Sequence, residues 1–451
     1  MPILSGARNT TFDMCPISCA SRVPEERAVP ACQRRAPLMP TPNADCDLEH
    51  IASRPIVALT LSAFVAIAAV RVTDPLLPQL AREFATTPSG VSIVSTSAMA
   101  AYGVCQVAYG PLGERHGKYT VVTVVTLLGA VFMLACSFAP SLGVLAVLRL
   151  GVGAMAAAVV PLSIAYIADG TPYQVRQGVL ARLLSGQILG MLAAQALGGI
   201  GADYVGWRGV FAALGAIYAI VGIALWRELR SPRVVERRVP QFRLSQAMGR
   251  YLALVQLGSV QRVLAVVGAE GFLLYGALTF VGAFLKNDLG MSYSALGLVL
   301  ACFGFGGLSY TAIASHIVRR LGERGMMLCG GLLMAAGFAV CSLATMAWPV
   351  TAAMASSGLG FYLMHNTLQT RASQMAPGER ALGMSMFSCA LFVSQAAGVK
   401  ACATMIDAFG YRIAFGVIAL GLVALGSSAV ALLVHASTGE GTGAARRSER
   451  S

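Results

Sequence analysis

Six ionisable side chains sit inside long apolar stretches of this 451-residue chain: Arg71, Asp74, Arg149, Glu270, His365 and Lys400. An ionised group at the centre of a bilayer costs roughly 2.5–3.5 kcal/mol on insertion scales, so each is a candidate for function. Glu270 and His365 form the sharpest pair. Glu270 lies 8 residues beyond Arg262 and His365 lies 6 before Arg371, which at helical rise is roughly 12 Å and 9 Å into the membrane from one side. The depths agree, so a carboxyl and an imidazole can meet there. Such a pair can take a proton in one conformation and release it in another; a static hydrogen-bonded pair is the plainer alternative.

Around His365 runs a polar stripe. Tyr362, His365, Asn366 and Gln369 fall at i, i+3, i+4 and i+7, one face of a helix. Polar groups on one face of a membrane helix look at water or at a partner helix, not at lipid. With Glu270 they make a candidate substrate cavity, suited to a polar or cationic compound. Arg71 and Asp74 are i, i+3 neighbours beside Pro75 and Pro78, which loosen the helix. Those two form a local ion pair, or Arg71 snorkels outward, as Arg182 and Lys400 do near other helix ends.

The elements that must carry these groups are apolar runs of about twenty residues, the length that crosses hydrocarbon roughly 30 Å thick. Twelve are read near 54–80, 91–111, 119–138, 143–168, 178–202, 207–226, 263–285, 294–317, 325–346, 348–370, 381–405 and 412–435, here spans 1 to 12. With 56% hydrophobic and 12% charged residues, the chain is an all-α membrane protein, because only helices or closed barrels satisfy the backbone in lipid. Arginine marks one side. It fills the loops after spans 2, 4, 8 and 10 and above all the linker 228–262, with Arg237, Arg238 and Arg243 among others, and the tail has Arg446, Arg447 and Arg450. The intervening loops 137–143 and 347–349 carry no charge. Both termini and the linker are therefore expected in the cytoplasm of a plasma (inner) membrane protein. The net charge of +13 comes from this asymmetry and does not point to nucleic acid.

Residues 1–50 hold seven prolines and four cysteines, Cys15, Cys19, Cys32 and Cys46. They read as a disordered tail, or as a start placed too far upstream; without histidines at fitting spacing they build no metal site. Residues 436–451 form a second tail.

The chain repeats itself. Gly110–Lys118 after span 2 aligns with Ser315–Glu323 after span 8, an offset of 205 residues. Gly206-Trp207-Arg208 meets Gly410-Tyr411-Arg412 at 204, and Pro172…Gly178 meets Pro377…Gly383 at 205. A duplicated six-helix unit predicts two pseudo-symmetric bundles, 51–227 and 263–435, with a substrate site between them.

These residues resemble the major facilitator superfamily. Gly110, Glu114, Arg115, Gly117 and Lys118 look like its signature loop between helices 2 and 3, with Glu114 in place of the usual aspartate. Asp74-Pro75-Leu76-Leu77-Pro78 and Arg149…Gly153 are similar to two further signatures. Ala269–Leu273 and Gly360-Phe361-Tyr362…His365 look like efflux permeases of the drug:proton antiporter branch. The resemblance implies a conformational latch at Gly110–Lys118, a cavity lined by helices 1, 4, 7 and 10, and proton coupling through Glu270, His365, Asp74 and Arg149. It implies a doubtful latch in the second half, where Arg319 replaces the acid. Antiporters of the family often carry Gly-Pro where Ala194-Gln195 stands. The small residues Gly186, Gly190, Ala194 and Gly198, four apart, are expected to let helices pack closely.

The expectation is a proton-coupled exporter of a small organic compound, not an enzyme. A sugar or metabolite facilitator or symporter is the alternative, and a transporter-like sensor a weaker one. No phosphate-binding loop is present, so ATP drive is not expected. No cofactor is expected. The partners are substrate, protons and the lipid bilayer, with no nucleic acid and a monomeric state.

Overall fold

The computed structural model describes residues 44–171, 173–236, 244–376 and 379–433. The tail cysteines Cys15, Cys19 and Cys32, Arg237, Arg238, Arg243, the C-terminal arginines, and Pro172 and Pro377 lie outside the described residues. The helix that carries span 1 begins at Ala44.

Among the described residues, twelve membrane-crossing helices make the fold. Ten helical runs are long and apolar enough to cross a membrane, among them Arg54–Glu83, Pro88–His116, Leu142–Gly170 and Gly258–Asn287. One of these, Leu382–Leu433, lies within the helix Arg380–Leu433, which turns at Gly410 and so holds both spans 11 and 12. Span 10, Ala347–Ala372, completes the set; its polar stripe dilutes its hydropathy. Within the linker a further helix, Leu244–Val255, bridges the two halves on the arginine-rich face. Tyr251 Oη donates to Val107 O at 3.3 Å, and Arg250 pairs with Glu379 ahead of span 11.

The repeat is written in the backbone. Among the described residues every positive φ falls into a pair one repeat apart. Gly117 (96°) answers Gly322 (59°), Gly206 (68°) answers Gly410 (80°), and Ala85 (45°) answers Gly290 (67°). Glycine adopts such turns without a Cβ penalty, which is why the two Gly-Gly turns survive in the sequence. Thr87 and its counterpart Ser292 cap the helices that follow, accepting from Gly90 N and Ala295 N.

Between the halves, span 5 packs on span 8 and span 2 on span 11. Backbone meets backbone there: a Cβ on Gly199 would lie 2.3 Å from Tyr293 O, and one on Gly103 would lie 2.9 Å from Val393 N. Side chains turned outward are apolar, Val104, Val131 and Leu197 each being more than 60% exposed, as a lipid-facing surface requires. Buried polar groups (Arg71, Asp74, Arg149, Glu270, Gln195) collect inside.

The small-residue run of span 5 packs against span 1. A Cβ on Gly186 would lie 2.6 Å from Thr60 Cγ2, one on Gly190 2.3 Å from Phe64 O, and one on Gly198 3.1 Å from Pro75 Cγ; Ala194 is buried between them. Gly190→Ala is therefore expected to cost about 1–3 kcal/mol by overpacking, read as a lower thermal midpoint of the purified protein. Gly110→Ala, with nothing within 4 Å, should leave the midpoint unchanged or raised.

Candidate functional site

Span 1 has a slight break at Val72, between Arg71 and Thr73, where the dihedrals stay helical and Val72 N still reaches Ala68 O. Pro75 has no N–H for the Arg71 carbonyl, and its ring crowds that carbonyl. Arg149 of span 4 reaches the break and donates to Ala69 O at 2.6 Å and Val70 O at 3.1 Å. Its guanidinium is fully buried and its hydrogen bonds go to backbone, not to an acid. Asp74 lies just past the break and accepts from Gln195 Nε2 at 3.1 Å. Gln195 is the residue that stands where the antiporter pattern has proline, so the departure supplies the partner of Asp74.

Arg71 and Asp74 form no ion pair among the described residues. The Arg71 guanidinium instead lies over the Tyr275 ring, 4.0 Å from its centroid. It is 5% exposed, and its Nη1 has no hydrogen-bond partner.

Span 7 is interrupted at the matching height. A π turn, Gly271–Tyr275, follows Glu270 directly, and Gly276 is Arg71 plus one repeat of 205. Single π turns inside α-helices gather at functional sites. Glu270 has no exposed surface, and its Oε2 lies 2.8 Å from His365 Nδ1, close enough to share a proton. Glu270 Oε1 has no partner. His365 is 15% exposed and stacks on Phe361 at 4.7 Å. The imidazole thus stands between the carboxyl and the open space.

That space is a cavity of about 180 Å³ between the halves. Tyr362, His365, Asn366 and Gln369 all line it from span 10, facing Arg71 and Gln187 of the other half. Asn366 spends one N–H on Tyr362 O of its own helix, at 2.9 Å. Glu270 is not a lining residue. Sequence spacing did not reveal the aromatic wall: Tyr102 and Phe392, with ring centroids 4.0 Å apart, Tyr275, and Phe387 beside His365.

The loop Gly110–Lys118 ties its own half together. Lys118 pairs with Glu114 at 2.8 Å and with Asp169 at the end of span 4. Gly117 carries the turn, and the Glu236 carboxylate accepts from Thr120 N and Oγ1, both at 2.8 Å. A Cβ on Gly110 would meet nothing within 4 Å, and Arg115 is exposed. The second half keeps the device with charges reversed, since Glu323, the counterpart of Lys118, pairs with Arg371 at the end of span 10.

The other face carries a pair of clasps that the sequence reading missed. Asp203 at the end of span 5 accepts from Tyr293 N (3.2 Å) and from Ser294 N and Oγ (both 2.7 Å) at the start of span 8. Asp407 at the end of span 11 accepts from Thr87 Oγ1 (3.0 Å) and Ser89 N (3.2 Å) at the start of span 2. The two aspartates are one repeat apart, three residues before Gly206 and Gly410; reading that echo three residues further back would have found them. Each binds a helix N-terminus of the other half, where unpaired N–H groups favour an anion. Lys400 adds to the second clasp, donating to Ser89 Oγ at 2.6 Å and Ser89 O at 3.2 Å, and does not simply snorkel.

The family model of the Major Facilitator Superfamily matches residues 59–267 and again 263–450. An uncharacterized transporter YgaY of Escherichia coli O157:H7 is 26% identical over 53% of this chain and 59% of its own length, so the match spans somewhat over half of that relative. An uncharacterized MFS-type transporter YwfA of Bacillus subtilis is 23% identical over 82% of this chain and 89% of its own. The efflux pump radE of Floropilus chiversii is 22% identical over 60% and 56%. Among solved structures, a bacterial homologue of the human lysosomal transporter Spinster, inward-facing and unoccupied, superposes with a TM-score of 0.66 at 17% identity, covering 86% of this chain and 96% of that one.

Losing either clasp should free the helix start it holds. Asp407→Asn is expected to speed amide hydrogen exchange over residues 86–95 and leave 289–297 unchanged; Asp203→Asn should do the reverse. Unaltered exchange in both variants would show that the clasps hold nothing.

Proposed function

The chain belongs to the Major Facilitator Superfamily, and from that premise we propose that it is a proton-coupled exporter of a small organic compound, working by alternating access. The family makes it a multi-pass membrane transporter and not an enzyme. The single observation that carries the proton-coupled reading is the Glu270–His365 contact, sealed in the protein on one side and facing the cavity on the other. His365 relays a proton between cavity water and Glu270. Arg149 works as a strut at the span 1 break and holds Asp74 and Arg71 in place.

Arginine-rich loops lie on the cytoplasmic side of membrane proteins, so the clasped face is the outer one. The outer ends of spans 5 and 8 are in backbone contact, while Val175, Ile313 and Val318 near their other ends are exposed. The outer contact fits a state closed on the outer side. Among the described residues the charged pairs of the latch loop stay within the first half, and Arg115 is exposed. Export is supported by the distant likeness to an efflux pump.

An export screen comparing deletion and overexpressing cells identifies the compound. With that compound in vesicles, Glu270→Gln is expected to abolish transport driven by an imposed proton gradient while gradient-free exchange persists. His365→Phe keeps the stacking area, and losing the relay should slow the driven rate by about 100-fold. Full gradient-driven transport by Glu270→Gln would remove the carboxyl from the coupling role.

A further inference from the structure

We propose that the cavity is an anion site, and that its ligand is a small aromatic or amphipathic organic acid whose carboxylate docks on Arg71; this deepens the transport reading above and rests on it. No aspartate, glutamate or lysine lines the cavity. Asp74 is turned to Gln195, and Glu270 lies behind His365. The fixed charge on the wall is therefore the Arg71 cation. Of the polar or cationic compounds expected from the sequence, a cation would meet no carboxylate on this wall.

Arg71 has the attributes of a docking group. It is 95% buried, its ring partner Tyr275 holds one face of the guanidinium, and Nη1 is left without an acceptor. A buried donor without an acceptor is costly, and a buried guanidinium more so. Nη1 itself is sealed from the open space, so a carboxylate in the cavity would pair with the edge of the guanidinium that lines it, in a charge-assisted bond that guanidinium geometry suits. Arg149, the other buried guanidinium of this half, gives Nη1 and Nη2 to backbone carbonyls and does not line the cavity. Around the cation stand Tyr102, Phe361, Tyr362 and Phe392, which would take the apolar body of the ligand. At about 180 Å³, the space is below the roughly 300–1,000 Å³ of sites for drug-sized ligands, so the acid is small.

The test is a thermal-shift titration of the purified full chain with three probes of one shape: benzoate, benzamide and benzylammonium. Benzoate is expected to raise the melting temperature and the other two to leave it unchanged. Arg71→Gln should weaken benzoate about 10- to 100-fold, the worth of one charge-assisted bond, and Arg71→Lys less. Benzamide or benzylammonium matching benzoate, no shift with benzoate at millimolar concentration, or full benzoate binding by Arg71→Gln would each overturn the proposal. Where Arg71→Gln fails to fold, the ranking of the three probes on the unaltered protein decides. Benzoate binding that strengthens as pH falls would keep Arg71 as the anion site and overturn antiport, since proton and acid would then travel together.

Discussion

The contact between Arg149 and the broken backbone of span 1 is the interaction on which the rest of the site depends. In hydrocarbon a helix cannot leave carbonyls unpaired, and Pro75 forces that situation on span 1. Arg149 does not serve the Arg71 carbonyl that Pro75 frees, but it adds two donors just before it, to the Ala69 and Val70 carbonyls. Arg71 and Asp74, on either side of this point, have different neighbours although they are three residues apart. Span 7 is interrupted at the corresponding place by its π turn. Paired interruptions in the two halves of a repeat mark the binding region of transporters built this way. Here they bring Arg71, Tyr275, Glu270 and His365 to one level.

Much of this was legible in the sequence. Span count, duplication and the polar stripe of span 10 all follow from periodicity and spacing, which report directly on length and on helical face. What spacing cannot report is the azimuth of one helix against another. Arg71 and Asp74 read as a local pair because i, i+3 neighbours usually meet; the break between them and the rival partners Tyr275 and Gln195 decide otherwise. Gln195 read only as a departure from a family pattern, yet it is the group that holds Asp74. Arg149 carried a proton-transfer role by resemblance, while its donors here serve carbonyls. The second latch looked doubtful because the motif residue Arg319 has the wrong sign, although the neighbouring Glu323 restores the contact with its charge reversed.

Symmetry explains why the clasps come as two. A duplicated half presents the same helix end twice, so Asp203 and Asp407 each meet the N-terminus of the partner half. Two equal contacts on opposite sides of the pseudo-twofold axis resist rocking in either sense better than one central contact would. They are also breakable. Each aspartate is near the surface, where water can replace the N–H groups it loses, so opening that face costs far less than exposing the buried Gly199–Gly297 approach would suggest. A transporter needs such a seal: firm enough to close the cavity, exposed enough to exchange its bonds for water.

Charge accounting ties the anion site to the direction of transport. Arg71 and Arg149 balance Asp74 and an ionised Glu270, so the empty cleft is close to neutral when the Glu270–His365 pair holds no extra proton. If one proton enters for each singly charged acid that leaves, two positive charges move inward per cycle. A membrane potential acts on each with about 2.3 kcal/mol per 100 mV, a drive added to that of the proton gradient itself. Import of the same acid with a proton would carry no net charge and gain nothing from the potential. On the proposed reading, an arginine in place of an acid on the cavity wall selects a ligand whose outward movement an inside-negative membrane assists.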